Sequence, residues 1–229
     1  MEVAVVTGAG RGIGLELTRL LVDSGRTVVA CPRTAGGPEL AALGPRVHEV
    51  ALDVADEDSV AAGAAAIARR VEHVDLLFNN AGVYPDEESA GIEQADLVGA
   101  ARAFEVNALG PLRVVRALLG LLRRGSGKRL VQVTSLMGSI QDNTAGGSYG
   151  YRMSKAALNM ATRNLALELG PEGFTVVAIH PGWVRTRMGG SDAPLGVTPA
   201  AREVLRIALT AGPEQNGAFL GPGGETLPY

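Results

Sequence analysis

Tyr151 and Lys155 stand four residues apart in the run Tyr151-Arg152-Met153-Ser154-Lys155. On a helix that spacing places the phenol and the ammonium on one face. An isolated phenol has a pKa of about 10, so at neutrality it exchanges protons poorly. A cation roughly 4–5 Å away, at an effective dielectric near 20, favours the phenolate by about 3–4 kcal/mol. The pair is therefore expected to act as a general acid and base, its phenol drawn down towards working pH. Tyr149 rivals Tyr151 by type, but six residues from Lys155 it falls on another face of the helix. An ordinary amphipathic helix could carry the same two residues, so the rest of a site has to come from elsewhere in the chain.

The elements that would position this pair alternate regularly. Short β-branched runs predict strands at Val3–Val6, Thr27–Cys31, Arg46–Leu52, Val74–Phe78, Arg129–Val133, Phe174–Ile179 and Gly217–Leu220. Helices are expected over Gly12–Ser24, Glu57–Arg70, Gln94–Arg124 with a kink or boundary at Pro111, Tyr151–Leu169, and Thr198–Leu209 with Thr198 as its cap. Strand–helix alternation without a linker or repeat predicts one α/β domain over residues 1–229. Its core would be a Rossmann-type, doubly wound parallel sheet of about seven strands with helices on both faces. Ligands in such sheets bind beyond the carboxyl ends of the strands, near the point where the strand order reverses.

Thr7-Gly8-Ala9-Gly10-Arg11-Gly12-Ile13-Gly14 lies between the first strand and the first helix. Glycines there let the backbone approach a pyrophosphate, whose charge the helix N-terminus favours. The spacing is G-x-x-x-G-x-G, with Ile13 where a third glycine of the more common G-x-G-x-x-G pattern would stand. A dinucleotide that is NAD usually meets an acid after the second strand. Here Cys31-Pro32-Arg33 offers none, and Arg33 and Arg11 could each pair with a 2′-phosphate instead. The expectation is NADP(H) rather than NAD(H), with two solvated surface arginines as the alternative.

Four motifs now resemble those of the short-chain dehydrogenase/reductase family: the Thr7-Gly8-x-x-x-Gly12-Ile13-Gly14 turn; Asn79-Asn80-Ala81-Gly82 at the end of the fourth strand; Tyr151-x-x-x-Lys155; and Pro181-Gly182 after the sixth strand. The resemblance spans essentially the whole chain. The Gly-Gly-Ser-Tyr-Gly-Tyr-Arg-Met-Ser-Lys stretch is similar to the subgroup of C-factor, sniffer and related carbonyl reductases. The resemblance implies a catalytic set of Asn107, Ser135, Tyr151 and Lys155. In it Ser135 orients the substrate carbonyl, Lys155 also holds the nicotinamide ribose, and Asn107 holds a water linking Lys155 to solvent. It further implies cofactor contacts from Asp53 and Val54, from Asn80, Ala81 and Gly82, and from Pro181, Gly182, Val184 and Thr186. Helix capping competes for Asp53, and Ser139 competes with Ser135. Ser135 and Tyr151 are 16 residues apart against a family spacing of about 13, and the stretch Gln141–Gly147 could loop out the difference.

The expected reaction is hydride transfer between NADPH and a small, largely apolar carbonyl compound. Its pocket walls would come from Leu136, Met137, Ile140, Tyr149, Trp183 and Met188. Arg185 or Arg187, turned inward, would select an anionic substrate instead. The competing reading is a nucleotide-binding regulatory or signalling protein with little turnover. A net charge of −3 gives no reason to expect nucleic acid or an anionic membrane. The six basic residues from Arg113 to Arg129 read as a helix C-terminus and a solvated turn. The single cysteine fits a reducing compartment, and the cytoplasm is expected. His48, His73 and His180 lack metal-ligand spacing, so no metal is expected. Wide apolar arcs on the helices near 94–124 and 150–169 suggest a homodimer or homotetramer.

Overall fold

A computed structural model describes residues 1–85 and 91–229. Seven parallel strands form one sheet in the order β3-β2-β1-β4-β5-β6-β7: β1 Val3–Thr7, β2 Thr27–Cys31, β3 Val47–Glu49, β4 Leu76–Asn79, β5 Arg129–Val133, β6 Thr175–Ile179 and β7 Phe219–Leu220. The helices are α1 Gly12–Asp23, α2 Pro38–Ala41, α3 Glu57–Ala68, α4 Leu97–Phe104, α5 Gly110–Arg124, α6 Tyr149–Leu169 and α7 Val197–Thr210.

The strands are buried on both faces because side-chain alternation feeds two cores. Val5, Val29, Leu77, Leu130 and Val176 point to one face, where they meet Ile67 of α3, Leu118 of α5 and Leu165 of α6. Ala4, Val28, Phe78, Val131 and Val177 point to the other, against Leu17 and Leu21 of α1 and Val204 of α7. Strand order reverses between β1 and β4, so the turns leaving these two strands lie side by side at the carboxyl edge of the sheet.

Several expected boundaries move. The third strand is regular only over Val47–Glu49, although the amides of Val50 and Leu52 still donate to Ala30 and Pro32 carbonyls at 3.0 and 2.9 Å. The helix expected from Gln94 begins at Leu97, capped by the Asp96 carboxylate on the Gly99 amide at 2.9 Å. Its boundary near Pro111 is made by a π-helical turn over Glu105–Leu109. Pro111 has no N–H for the Asn107 carbonyl, and its ring would press on that carbonyl in a regular α-helix; the wider turn relieves both problems. Thr198 is not the cap of α7: Gly196 holds that position, and the Thr198 hydroxyl bonds Glu16 of α1 instead. The catalytic-motif helix begins at Tyr149, so Tyr149 belongs to α6 itself. No described helix is long and apolar enough to cross a membrane.

Candidate active site

The glycine turn is shaped by steric exclusion. Gly8 leaves β1 at φ +65° and Gly12 opens α1 at φ +56°, conformations that side chains disfavour. A Cβ on Gly14 would stand 2.4 Å from both the Gly8 carbonyl oxygen and Asn80 Nδ2. Asn80 is a strut for this turn: its Nδ2 donates to the Thr7 carbonyl at 3.0 Å. The Thr7 hydroxyl accepts from the Asn80 and Ala81 amides at 3.0 and 3.1 Å, so the first residue of the motif ties the two turns together. Ile13 turns its side chain into the α1–α7 core.

The first turn of α1 has no capping side chain and no acid, which leaves its N–H groups and the positive end of its dipole for a ligand. Pro32 lies against Gly10, which brings Arg33 to the same edge as Arg11. Both arginines are exposed. Among the described residues no ion pair engages either of them. A backbone cradle closed to side chains, an uncapped helix start and two uncommitted guanidiniums fit a dinucleotide with a pyrophosphate and a further phosphate. Capping does not account for Asp53, since Asp56 caps α3 through the Ser59 amide at 2.9 Å. Asp53 Oδ1 accepts instead from the Ala55 amide at 3.0 Å, holding the turn after β3. Val54 beside it is buried against Gly110.

The loop after β6 reaches back to this cradle. Gly182 turns at φ +85°, Val184 is buried and bridges to Leu195, and Thr186 packs against Gly12. His180, ahead of the loop, is pushed down to about 4 by burial and is neutral at pH 7. Arg185 does not turn inward: its guanidinium clamps the Ala193 and Pro194 carbonyls at 3.0 Å each. Arg187 is exposed.

Ser135, Tyr151 and Lys155 come together at the end of β5. The Ser135 and Tyr151 side chains are hydrogen-bonded to each other. Ser135 Oγ also accepts from the Met137 amide at 3.2 Å. Ser139 is committed elsewhere, as a buried acceptor for the Asp142 amide at 3.0 Å. Gly138 permits the close seat of α6, because a Cβ there would stand 2.8 Å from the Lys155 carbonyl carbon. Lys155 Nζ donates to the Val133 carbonyl at 2.8 Å and sits 5.7 Å from the centre of the Tyr151 ring.

The electrostatics differ from the sequence expectation. Burial pushes the Tyr151 phenol up to about 12, and burial pushes Lys155 down to about 8. The ammonium lies over the ring and is spent on a backbone carbonyl. It therefore does not outweigh the loss of water around the phenol, which the Ser135 hydrogen bond offsets only in part. Tyr151 is thus a proton-loaded group at neutral pH.

Asn107 lies at the centre of the π-turn, fully buried. Its Nδ2 donates to the Val83 carbonyl at 2.9 Å and Ser154 Oγ at 3.0 Å, while its Oδ1 accepts from the Val83 amide at 2.9 Å. It braces the turn after β4 against α6, and only the space above Gly82 separates its Oδ1 from Lys155 Nζ. Tyr84, which no motif marks, and Ser148, from the Gly-Gly-Ser-Tyr stretch, also stand at the site: Tyr84 packs on the Tyr151 ring and its hydroxyl bonds Ser148. The expected pocket walls are not core. Tyr149 is 37% exposed, Leu136 40%, Met188 47%, Trp183 56% and Ile140 78%.

This edge-of-sheet site, with a dinucleotide cradle beside a serine, tyrosine and lysine, defines an oxidoreductase of the α/β class. Residues 2–194 match the short chain dehydrogenase family, and the chain belongs to that family. It is 50% identical over 157 residues to C-signal of Myxococcus xanthus, covering 68% of this chain and 93% of that protein. Its fold is similar to that of carbonyl reductase Sniffer of D. melanogaster, with a TM-score of 0.92, 31% identity and coverage of 100% and 99% of the two chains. It is also similar to the NADPH-bound carbonyl reductase from chicken fatty liver, with a TM-score of 0.91, 30% identity and full coverage of both chains.

Proposed function

We propose that this chain, one domain over residues 1–229, is an NADP(H)-dependent carbonyl reductase in which Tyr151 is the proton donor. The observation that carries the reading is the hydrogen-bonded Ser135–Tyr151 pair with Lys155 beneath it, set beside the glycine cradle. NADP(H) rather than NAD(H) is supported by Arg11 and Arg33 at the cradle and by the NADPH in the chicken relative. Gly8, Gly12 and Gly14 with the start of α1 would hold the pyrophosphate. Asp53 and Val54 would flank the adenine, and Pro181, Gly182, Val184 and Thr186 the nicotinamide side.

When bound, the nicotinamide supplies the hydride. Ser135 and Tyr151 present their hydroxyls to the substrate's carbonyl oxygen, where negative charge develops. Tyr151 then gives its proton to the alkoxide. The Lys155 ammonium would stabilise the phenolate left behind and donate to the ribose hydroxyl oxygens, while Asn107 would fix the frame and hold a water for Lys155. Tyr151, pushed up to about 12, is protonated in the resting enzyme, which suits reduction. The substrate is an uncharged carbonyl compound, since Arg185 is spent on the loop and the exposed lip is apolar.

Tyr151→Phe should abolish NADPH-dependent turnover of a ketone and aldehyde panel while NADPH binding stays within a few-fold. An active variant would refute the assignment. The likeness to C-signal keeps the signalling reading in view. Bound NADPH with no turnover across the panel would favour it.

A further inference from the structure

The chain enters α6 through three consecutive left-handed residues: Gly146 at φ +64°, Gly147 at +64° and Ser148 at +45°. Two are glycines, for which this conformation is easy. Ser148 is not, and it is the residue from which α6 and Tyr151 are launched. Its hydroxyl is 2.7 Å from the hydroxyl of Tyr84. Tyr84 comes from the turn after β4, the stretch that Asn107 pins through Val83. The ring of Tyr84 lies against that of Tyr151, with centroids 4.7 Å apart and planes tilted by 57°.

We propose that Tyr84 is a positioning residue for the proton donor: its hydroxyl holds Ser148 in the left-handed conformation that starts α6, and its ring sets the plane of Tyr151. This rests on the reading of Tyr151 as proton donor. The contact also has an electrostatic side. Burial raises the Tyr151 phenol most, the Ser135 hydroxyl opposes this, and Tyr84 adds to it, with the Lys155 ammonium also beside the ring.

The test separates the backbone role from simple support. Tyr84→Phe keeps the ring and removes the hydroxyl. Ser148→Ala removes the partner hydroxyl but keeps a Cβ, whereas Ser148→Gly removes both the hydroxyl and the strain. Tyr84→Phe and Ser148→Ala should each lower kcat about tenfold, with KM for NADPH within about twofold. Ser148→Gly should recover most of what Ser148→Ala loses. Adding Tyr84→Phe to Ser148→Gly should cost no more than about twofold. An equal tenfold loss from Tyr84→Phe in both backgrounds would overturn the proposal, as would no loss in the native one. The backbone carbon shifts of Ser148, read by NMR without substrate, should leave left-handed values in Tyr84→Phe. Unchanged shifts would also refute the role. That measurement stands even if no carbonyl compound is turned over, so failure of the enzyme reading and failure of this one are distinguishable.

Discussion

Raising the pH from 7 to 9 should weaken NADPH binding about tenfold through Lys155 alone. The ammonium is buried, faces no carboxylate among the described ion pairs, and is pushed down to about 8. If only the protonated lysine can donate to the ribose hydroxyl oxygens, the competent fraction falls from about nine-tenths at pH 7 to about one-tenth at pH 9. Log affinity should then fall with a slope approaching −1 above pH 8, with about one proton taken up on binding there. Folding stability moves the other way in this window. Above about 8 the unfolded chain keeps the Lys155 proton that the folded chain loses, so this lysine makes stability rise with pH; the buried Cys31 thiol, pushed up to about 12, offsets that rise from about 9 upward, so the rise is read between about 8 and 9. Affinity lost while the protein grows more stable cannot be blamed on alkaline unfolding. Tyr151 does not interfere, because its raised pKa removes stability only between about 10 and 12. The assay is NADPH fluorescence titration from pH 6.5 to 9.5, with Lys155→Met as the control. A flat profile for the native protein, or the same slope in Lys155→Met, would refute the reasoning.

Arg33→Ala should weaken NADPH by roughly ten- to a hundredfold and leave NADH nearly unchanged, since one charge-assisted phosphate contact is worth about 1.5–3 kcal/mol; equal losses measured for the two cofactors would remove the case for a 2′-phosphate partner. Gly14→Ala drives a Cβ to 2.4 Å from the Gly8 carbonyl, so thermal unfolding should report about 1–3 kcal/mol of lost stability and titration should report lost cofactor binding. Met153, Met160 and Leu167 follow one another at seven-residue steps along α6 and are 43%, 63% and 63% exposed. Light scattering should find a two-fold assembly that Met160→Glu with Leu167→Glu disrupts, and a native monomer at micromolar concentration would defeat this.

The positions of the cradle and of the candidate site were legible because backbone constraints write themselves into residue type. Gly8, Gly12 and Gly14 mark a turn that tolerates nothing larger, and β-branched runs buried on both faces mark a parallel sheet. Ser135 lies beside Tyr151 despite their unusual sequence distance, because the strand end is recognisable and the extra residues are carried by the glycine-rich entry to α6. What escaped depends on three-dimensional neighbours. The spacing of Tyr151 and Lys155 is correct, yet the direction of the phenol's shift is set by burial and by the Val133 carbonyl that engages the ammonium. Tyr84 lies outside every motif and gains meaning only from the ring it touches. Thr198 and Pro199 make a plausible helix start, but the fold draws the Thr198 hydroxyl to Glu16 across the α1–α7 contact.

The π-turn at Glu105–Leu109 makes chain length in this region an adjustment of phase. Each residue advances an α-helix by about 100°, so the wide turn rotates α5 relative to the line of α4. That rotation lets α4 lie along α6 while Val114, Leu118, Leu121 and Leu122 of α5 face the core shared with α3. Removing one residue between Glu105 and Leu109 would restore regular winding and swing the α5 face about a quarter turn out of its seat. It would also carry Asn107 away from Val83 and Ser154. An indel of one residue here, distant in sequence from the glycine motifs, should therefore disable the protein more thoroughly than most substitutions in either helix.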